Sequence, residues 1–159
     1  FGSIHLIDDI NSHFLLSSLG VEPLSRSFNK EYLHGLSKDS NLNIKKLIMD
    51  QKKVVGVGNI YASESLFLAK VKPTKVSRNI NLDECAAIVS SIKKILKYAI
   101  KMGGTTLNDF YSADGSEGYF KLKLKVYGRG DKPCKSCSEV IKKINIGQRA
   151  TYYCSNCQS

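Results

Sequence analysis

No run in this 159-residue sequence approaches the roughly 18 uninterrupted apolar residues that a membrane-spanning helix needs, although apolar residues make up 42% of the chain. A basic start followed by an apolar stretch is also missing, so Phe1-Gly2-Ser3-Ile4-His5 does not read as a secretory signal. The first residue is not Met, and the expectation is a piece of something longer. Cysteine is scarce and odd in number, at five, which argues against a disulfide framework and for a reducing, cytoplasmic setting. Acids are the other shortage: 14 stand against 24 Lys and Arg, for a formal charge of +10. The imbalance is local. From Lys121 onward there are nine Lys or Arg and two acids, Asp131 and Glu139, so that stretch carries +7. A concentrated positive field attracts polyanions by counterion release, which favours a nucleic-acid partner over a merely soluble basic surface.

What is present suffices for one domain, or for a compact domain plus a small stapled module. Residues 1 to about 24 form a lead-in with a strand-like start, punctuated by Gly20 and Pro23. Residues 25 to about 110 read as helical. One helix opens at Ser27-Phe28-Asn29-Lys30-Glu31 and runs to about Leu36; a second covers Asn43 to Asp50; a third covers Asn59 to Ala69. Asn81, with Glu84 three residues on, has the form of a capping box for a long helix. Cys85, Ile88, Val89, Ile92, Ile95, Leu96 and Ala99 recur along that helix at helical spacing, and Gly103-Gly104 stops it. Cys85, inside the stripe, reads as a core residue. Residues 111 to 120 read as an exposed loop rich in Gly and Ser. In 121 to 126, Leu122, Leu124 and Val126 alternate with lysines as in a half-buried strand.

The other four cysteines fall into two pairs, Cys134-x2-Cys137 and Cys154-x2-Cys157, with sixteen residues between. Each pair turns two thiolates toward one ion, and four thiolates close a tetrahedral shell, so the expected cofactor is a single structural Zn2+. A thioredoxin-like redox pair needs a βαβ context that is absent; an iron–sulfur cluster competes for the same sulfurs. The intervening segment fits two strands around a turn at Gly147, a zinc ribbon whose folding is coupled to the metal.

In Val54-Val-Gly-Val-Gly58-Asn59-Ile-Tyr-Ala62, glycines lead into a helix start, where backbone N–H groups and the helix dipole favour an anion and where Asn59 is placed to cap the helix. The run Gly56-Val-Gly-Asn-Ile-Tyr-Ala-Ser-Glu64 resembles the helix–two-turn–helix (H2TH) signature of formamidopyrimidine-DNA glycosylases. So do Leu19-Gly-Val-Glu-Pro-Leu24, Gly103-Gly-Thr-Thr-Leu-Asn-Asp-Phe110, Gly118-Tyr-Phe120 and Val126-Tyr-Gly-Arg129. Gln148-Arg-Ala-Thr-Tyr-Tyr-Cys-Ser-Asn-Cys-Gln158 is similar to that family's terminal zinc finger. The similarity runs the length of the chain in family order, with endonuclease VIII as the sister group.

The resemblance implies a mainly α H2TH domain and a C-terminal β-hairpin zinc finger, without the family's N-terminal β-sandwich. The corresponding divisions are 1–20 as the tail of that missing domain and linker, 21–120 as the DNA-binding domain with a lesion-capping loop, and 121–159 as the zinc finger. It implies base-excision repair of oxidised purines, 8-oxoguanine and formamidopyrimidines, with strand nicking by β,δ-elimination. The implied partner is damaged double-stranded DNA, bound by a monomer with no membrane association. By the same resemblance Asn59 and Gly58 hold phosphate beside the lesion, Lys45 lines the lesion side of the cleft, and Tyr119 lies in the loop over the everted base. Arg149 grips phosphate and is the family's proton donor in δ-elimination. A guanidinium suits a bidentate phosphate clamp, and its permanent charge makes electrostatic stabilisation of the leaving phosphate the easier account. The family's nucleophile is an N-terminal Pro followed by Glu, which attacks the sugar C1′. Glu22-Pro23 has the reverse order and lies within the chain, so the expectation is DNA binding without cleavage. Two alternatives are a non-catalytic zinc-dependent DNA-binding module and an endonuclease VIII-type enzyme for oxidised pyrimidines.

Overall fold

Three helices start on an asparagine whose short side chain reaches back to the first turn. The Oδ1 atoms of Asn29, Asn43 and Asn81 accept from the backbone N–H groups of Tyr32 at 2.8 Å, Lys46 at 2.9 Å and Glu84 at 2.9 Å. Such caps stabilise a helix by about 1 kcal/mol each. Glu84 returns the bond, its Oε2 accepting from the Asn81 N–H at 3.1 Å, which completes the capping box. The structure, a computed structural model, describes residues 4–6, 8, 13–103 and 124–159. Its elements are α1 Phe14–Ser17, α2 Lys30–Ser37, α3 Ile44–Ile48, α4 Asn59–Leu68, a 3-10 turn Ser77–Asn79, α5 Leu82–Lys101, β1 Ile141–Ile146 and β2 Arg149–Cys154.

The predicted stripe of α5 faces the main core. Cys85, Ile88, Val89 and Ile92 pack with Phe28, Leu33, Ile44, Leu47, Ile48, Val54, Val57 and Leu66 from α2, α3, α4 and the segments that lead into α2 and α4. Ala99 belongs to a smaller cluster with Leu124. Cys85 is fully buried, and burial, then the neighbouring Glu84 carboxylate, push its thiol up to about 11, so it is an inert core residue. Gly20 shows why the lead-in needs a glycine. Its N–H donates to the Gln51 carbonyl at 2.8 Å, and a Cβ there would stand 2.2 Å from the Lys53 carbonyl carbon. That contact lets Val21 bridge to Val54 in parallel.

β1 and β2 pair antiparallel, with Ile141 opposite Cys154 and Ile146 opposite Arg149. This leaves the two-residue turn Gly147-Gln148. Gly147 has φ +60°, as the first central residue of a type II′ hairpin turn requires. Val126, Cys134, Ile141 and Cys154 are the small interior of this module, closed by Phe67 of α4.

Two expectations need correction. The single turn α1 lies where the lead-in carries no helical pattern; its cap is His13, whose Nδ1 accepts from the Leu15 N–H at 3.3 Å. The strand expected over 121–126 does not form among its described residues, 124–126. Leu124 and Val126 are buried and Lys125 is exposed, so the alternation is real, but no neighbouring strand satisfies the backbone. A carboxylate does so instead, as shown below. The loop at 111–120 lies outside the described residues. Among the described residues no helix is long and apolar enough to cross a membrane.

Candidate nucleic-acid interface and metal centre

The glycine turn delivers α4 with an open end. Gly58 is the N-cap, with no side-chain cap, and Asn59 is the first helical residue. Asn59 therefore does not cap the helix as expected. From that position its side chain turns to the zinc hairpin, where Nδ2 donates to the Ala150 carbonyl at 3.0 Å and to the Tyr127 hydroxyl at 3.4 Å. Its Oδ1 accepts from Lys45 Nζ at 2.6 Å. Lys45, on α3, is 1% exposed, and it also donates to Thr151 Oγ1 at 2.7 Å. The Thr151 hydroxyl passes the chain on, donating to the Arg149 carbonyl at 3.2 Å. A buried ammonium is thus tied to the helix start on one side and to the first residues of β2 on the other. Burial, and then the Arg149 guanidinium, hold Lys45 down to about 8.

Lys45, Asn59, Gly58 and Arg149, singled out from the sequence, meet where α3, α4 and the hairpin turn converge. Arg149 is exposed at the start of β2 and borders a cleft of about 320 Å³ with Lys45, Lys46, Met49, Asp50, Ile146, Gly147 and Gln148. Tyr119 lies outside the described residues.

Three side chains outside the sequence-derived set fix this geometry. Glu64 is 2% exposed on α4, and its carboxylate accepts from three successive backbone N–H groups, those of Lys125, Val126 and Tyr127, each at 2.9 Å. It does what a partner strand would have done for that segment. The signal in the sequence is a charge in the middle of Asn59–Leu68, a helix with no other charged residue. Thr151 carries the Lys45 bond described above. Gln158, 2% exposed, accepts from the Cys154 N–H at 2.9 Å and donates to the Val71 carbonyl at 2.8 Å, so it links a cysteine pair to the turn after α4. Neither has a periodic or spacing signal.

Cys134, Cys137, Cys154 and Cys157 place their four sulfurs within 4.8 Å of one another. The Cys134–Cys157 separation is 4.0 Å and the Cys137–Cys154 separation 3.4 Å. These bracket the edge of about 3.8 Å that follows from a tetrahedron with Zn–S bonds of about 2.3 Å. The donor set is all thiol, and hydrogen bonding from Asn156 holds the Cys137 thiol down to about 6. Hydrogen bonding to Cys137, and then burial, push the Cys157 thiol up to about 12. The residues fit one structural zinc ion, held by these four cysteines.

Comparison with known proteins agrees. Residues 19–111 match the model described as formamidopyrimidine-DNA glycosylase H2TH domain, and residues 131–159 match the zinc finger found in FPG and IleRS. The chain belongs to the formamidopyrimidine-DNA glycosylase family. Among its relatives are the formamidopyrimidine-DNA glycosylases of Xanthomonas oryzae pv. oryzae, 49% identical over 99% of this chain and 58% of that protein, and of Photobacterium profundum, 51% identical over 92% of this chain and 54% of that protein. The chain therefore spans little more than half the length of the curated relatives it matches. The crystal structure of the MutM (Fpg) protein from Thermus thermophilus superposes with a TM-score of 0.87 at 35% identity, covering 95% of this chain and 57% of that one. Lactococcus lactis Fpg in complex with DNA containing an abasic site superposes with a TM-score of 0.83 at 35% identity, covering 92% and 54%.

Proposed function

We propose that this chain is the DNA-gripping part of a base-excision repair glycosylase and AP lyase acting on oxidised purines in double-stranded DNA, working as a monomer in the bacterial cytoplasm at the nucleoid. The observation that carries the reading is the Lys45–Asn59–Ala150 junction, which holds the open start of α4 and the Arg149 strand together. On this reading Gly58 and Asn59 offer N–H groups to a phosphate beside the lesion, and the helix dipole adds to the attraction. Arg149 clamps a backbone phosphate and stabilises its charge as it leaves during δ-elimination. Lys45 supplies positive charge from behind the cleft, and Tyr119 belongs to the loop over the everted base. The divisions 1–20, 21–120 and 121–159 are the corresponding linker, H2TH and zinc-finger segments.

No residue among these 159 matches the family's Pro-Glu nucleophile motif, so the chemistry at C1′ falls to a part of the protein that these residues do not supply. The test is binding of the zinc-loaded chain to a fluorescent duplex bearing an abasic-site analogue, measured across salt. Affinity should fall steeply with log[salt], by about 0.9 in slope for each phosphate neutralised, and Arg149→Gln should weaken it. A flat salt dependence would remove the DNA reading. Borohydride trapping on an 8-oxoguanine duplex should give no covalent adduct with the chain, and an adduct would place a nucleophile within it.

A further inference from the structure

We propose that Lys46 is a further phosphate-binding residue of the hairpin cleft, an addition to the Arg149 clamp made from α3. The proposal rests on the DNA reading above and deepens it. Lys45 and Lys46 are adjacent on α3, but their side chains have opposite fates. Lys45 is buried and fully bonded, whereas Lys46 is exposed and leans across the mouth of the cleft toward the hairpin turn. A Cβ built on Gly147 would lie 3.4 Å from Lys46 Cε and 3.8 Å from Nζ, so the ammonium stands against the tip of the turn, two residues from Arg149.

The cleft is not charge-balanced. Lys45, Lys46 and Arg149 line it, and Asp50 is the one acid among its lining residues. Asp50 is engaged elsewhere: its Oδ2 lies 3.5 Å from Lys53 Nζ, and its Oδ1 accepts from the Lys52 N–H at 3.1 Å. Neither Lys46 nor Arg149 has an ion pair among the described residues. Two exposed cations, Lys46 and Arg149, with the buried Lys45 behind them and no acid paired to either among the described residues, favour an anion at this opening. Burial first, and then the Arg149 guanidinium, lower the proton affinity of Lys45. The occupant with the right chemistry is a phosphodiester of the nucleic-acid backbone. Arg149 offers a planar fork to its oxygens, and Lys46 offers a point charge on a flexible stem. Such a contact positions the strand and reads no base.

The experiment measures the affinity of the zinc-loaded chain for a short duplex containing a tetrahydrofuran abasic-site analogue, at several salt concentrations. The variants are Lys46→Gln, Lys46→Arg and Lys46→Glu, with Lys30→Gln as a control for one lost charge; Lys30 lies beside Glu31 on the exposed start of α2. Lys46→Gln should lower the log–log slope by about 0.9, so that its deficit against the parent shrinks roughly 3.5-fold between 50 and 200 mM salt. Lys46→Arg should keep the parent slope, Lys46→Glu should weaken binding further than Gln, and Lys30→Gln should leave the slope unchanged. Among the described residues the Lys46 side chain makes no hydrogen bond or ion pair that these variants would remove, so zinc content and melting should match the parent. A steep parent slope with Lys46→Gln equally steep would overturn the Lys46 contact while leaving the DNA reading intact. A flat parent slope would overturn both.

Discussion

Replacing Glu64 by Gln tests how the two halves of the molecule are held together. The carboxylate is almost fully buried and is the common acceptor for the N–H groups of Lys125, Val126 and Tyr127. Two of these share Oε1 and the third uses Oε2. A glutamine amide keeps one carbonyl oxygen for Val126 and Tyr127, but its NH2 then meets the Lys125 N–H donor to donor. One charge-assisted bond is lost and one buried donor is left unsatisfied, each at about 1–3 kcal/mol and not fully additive, for a net loss of about 2–3 kcal/mol. For a chain of this size, that corresponds to a fall in Tm of about 5–10 °C. Glu64→Ala removes the acceptor for all three donors and leaves a cavity, which puts it above about 4 kcal/mol. The assay is thermal unfolding of the zinc-loaded chain combined with amide hydrogen exchange. Exchange at Lys125, Val126 and Tyr127 should accelerate before that of α5. Glu31→Gln, which removes an exposed ion pair with Lys30, should stay within about 0.5 kcal/mol of the parent. If Glu64→Gln melts with the parent and residues 125–127 keep their protection, the latch does not bear on stability and the reasoning fails.

Three further outcomes are expected. Chelating the zinc should unfold β1 and β2 while α2 to α5 keep their exchange protection, because the helical core is separate from the small interior around Cys134 and Cys154; hairpin amide shifts that survive metal removal would refute this. Lys45 has an ordinary value of 10.5 and is held at about 8 in the folded chain, so between those pH values the unfolded state binds the extra proton. Its burial penalty is fully present below pH 8 and is relieved as pH rises toward 10.5, by on the order of 3 kcal/mol; urea unfolding of the parent relative to Lys45→Met should shift in the parent's favour over that window, and a constant difference would contradict it. Gln158→Ala strands the Cys154 N–H and the Val71 carbonyl, which should cost about 2 kcal/mol by denaturant titration; a neutral result would mean the tail is not a tie between the two parts.

The elements that carry a repeating or capping signal are legible in the sequence. The α5 stripe, the Asn81–Glu84 box and the paired cysteines each rest on residues a few positions apart, where geometry follows directly from spacing. The turn α1 is not legible, because four residues are too few for a period to show. The 121–126 alternation is a correct report of burial and a wrong report of pairing, at least over 124–126, because a side chain from α4 satisfies that backbone. At the site, the sequence names four residues that the fold brings together, Lys45, Gly58, Asn59 and Arg149, but not the wiring. Asn59 reads as a cap from its place after glycines, yet Gly58 takes that role and frees Asn59 for the hairpin. Lys45 reads as a cleft cation, and only the fold shows that its ammonium is a buried strut between Asn59 and Thr151. Glu64, Thr151 and Gln158 act across separations of 61 to 87 residues in the bonds to 125–127 and Val71, and 106 in the Lys45 bond, which local pattern does not encode.

The acceptors that restrain Asn59 and Lys45 belong to Ala150 and Thr151, four and three residues before a sulfur ligand. Stripping the ion would therefore let the hairpin go and also release both side chains at the mouth of α4. Lys45, freed to reach water, would regain an ordinary lysine's affinity for protons. Hold on the strand should then vanish as a unit, and a titration of affinity against free zinc should show one step instead of two.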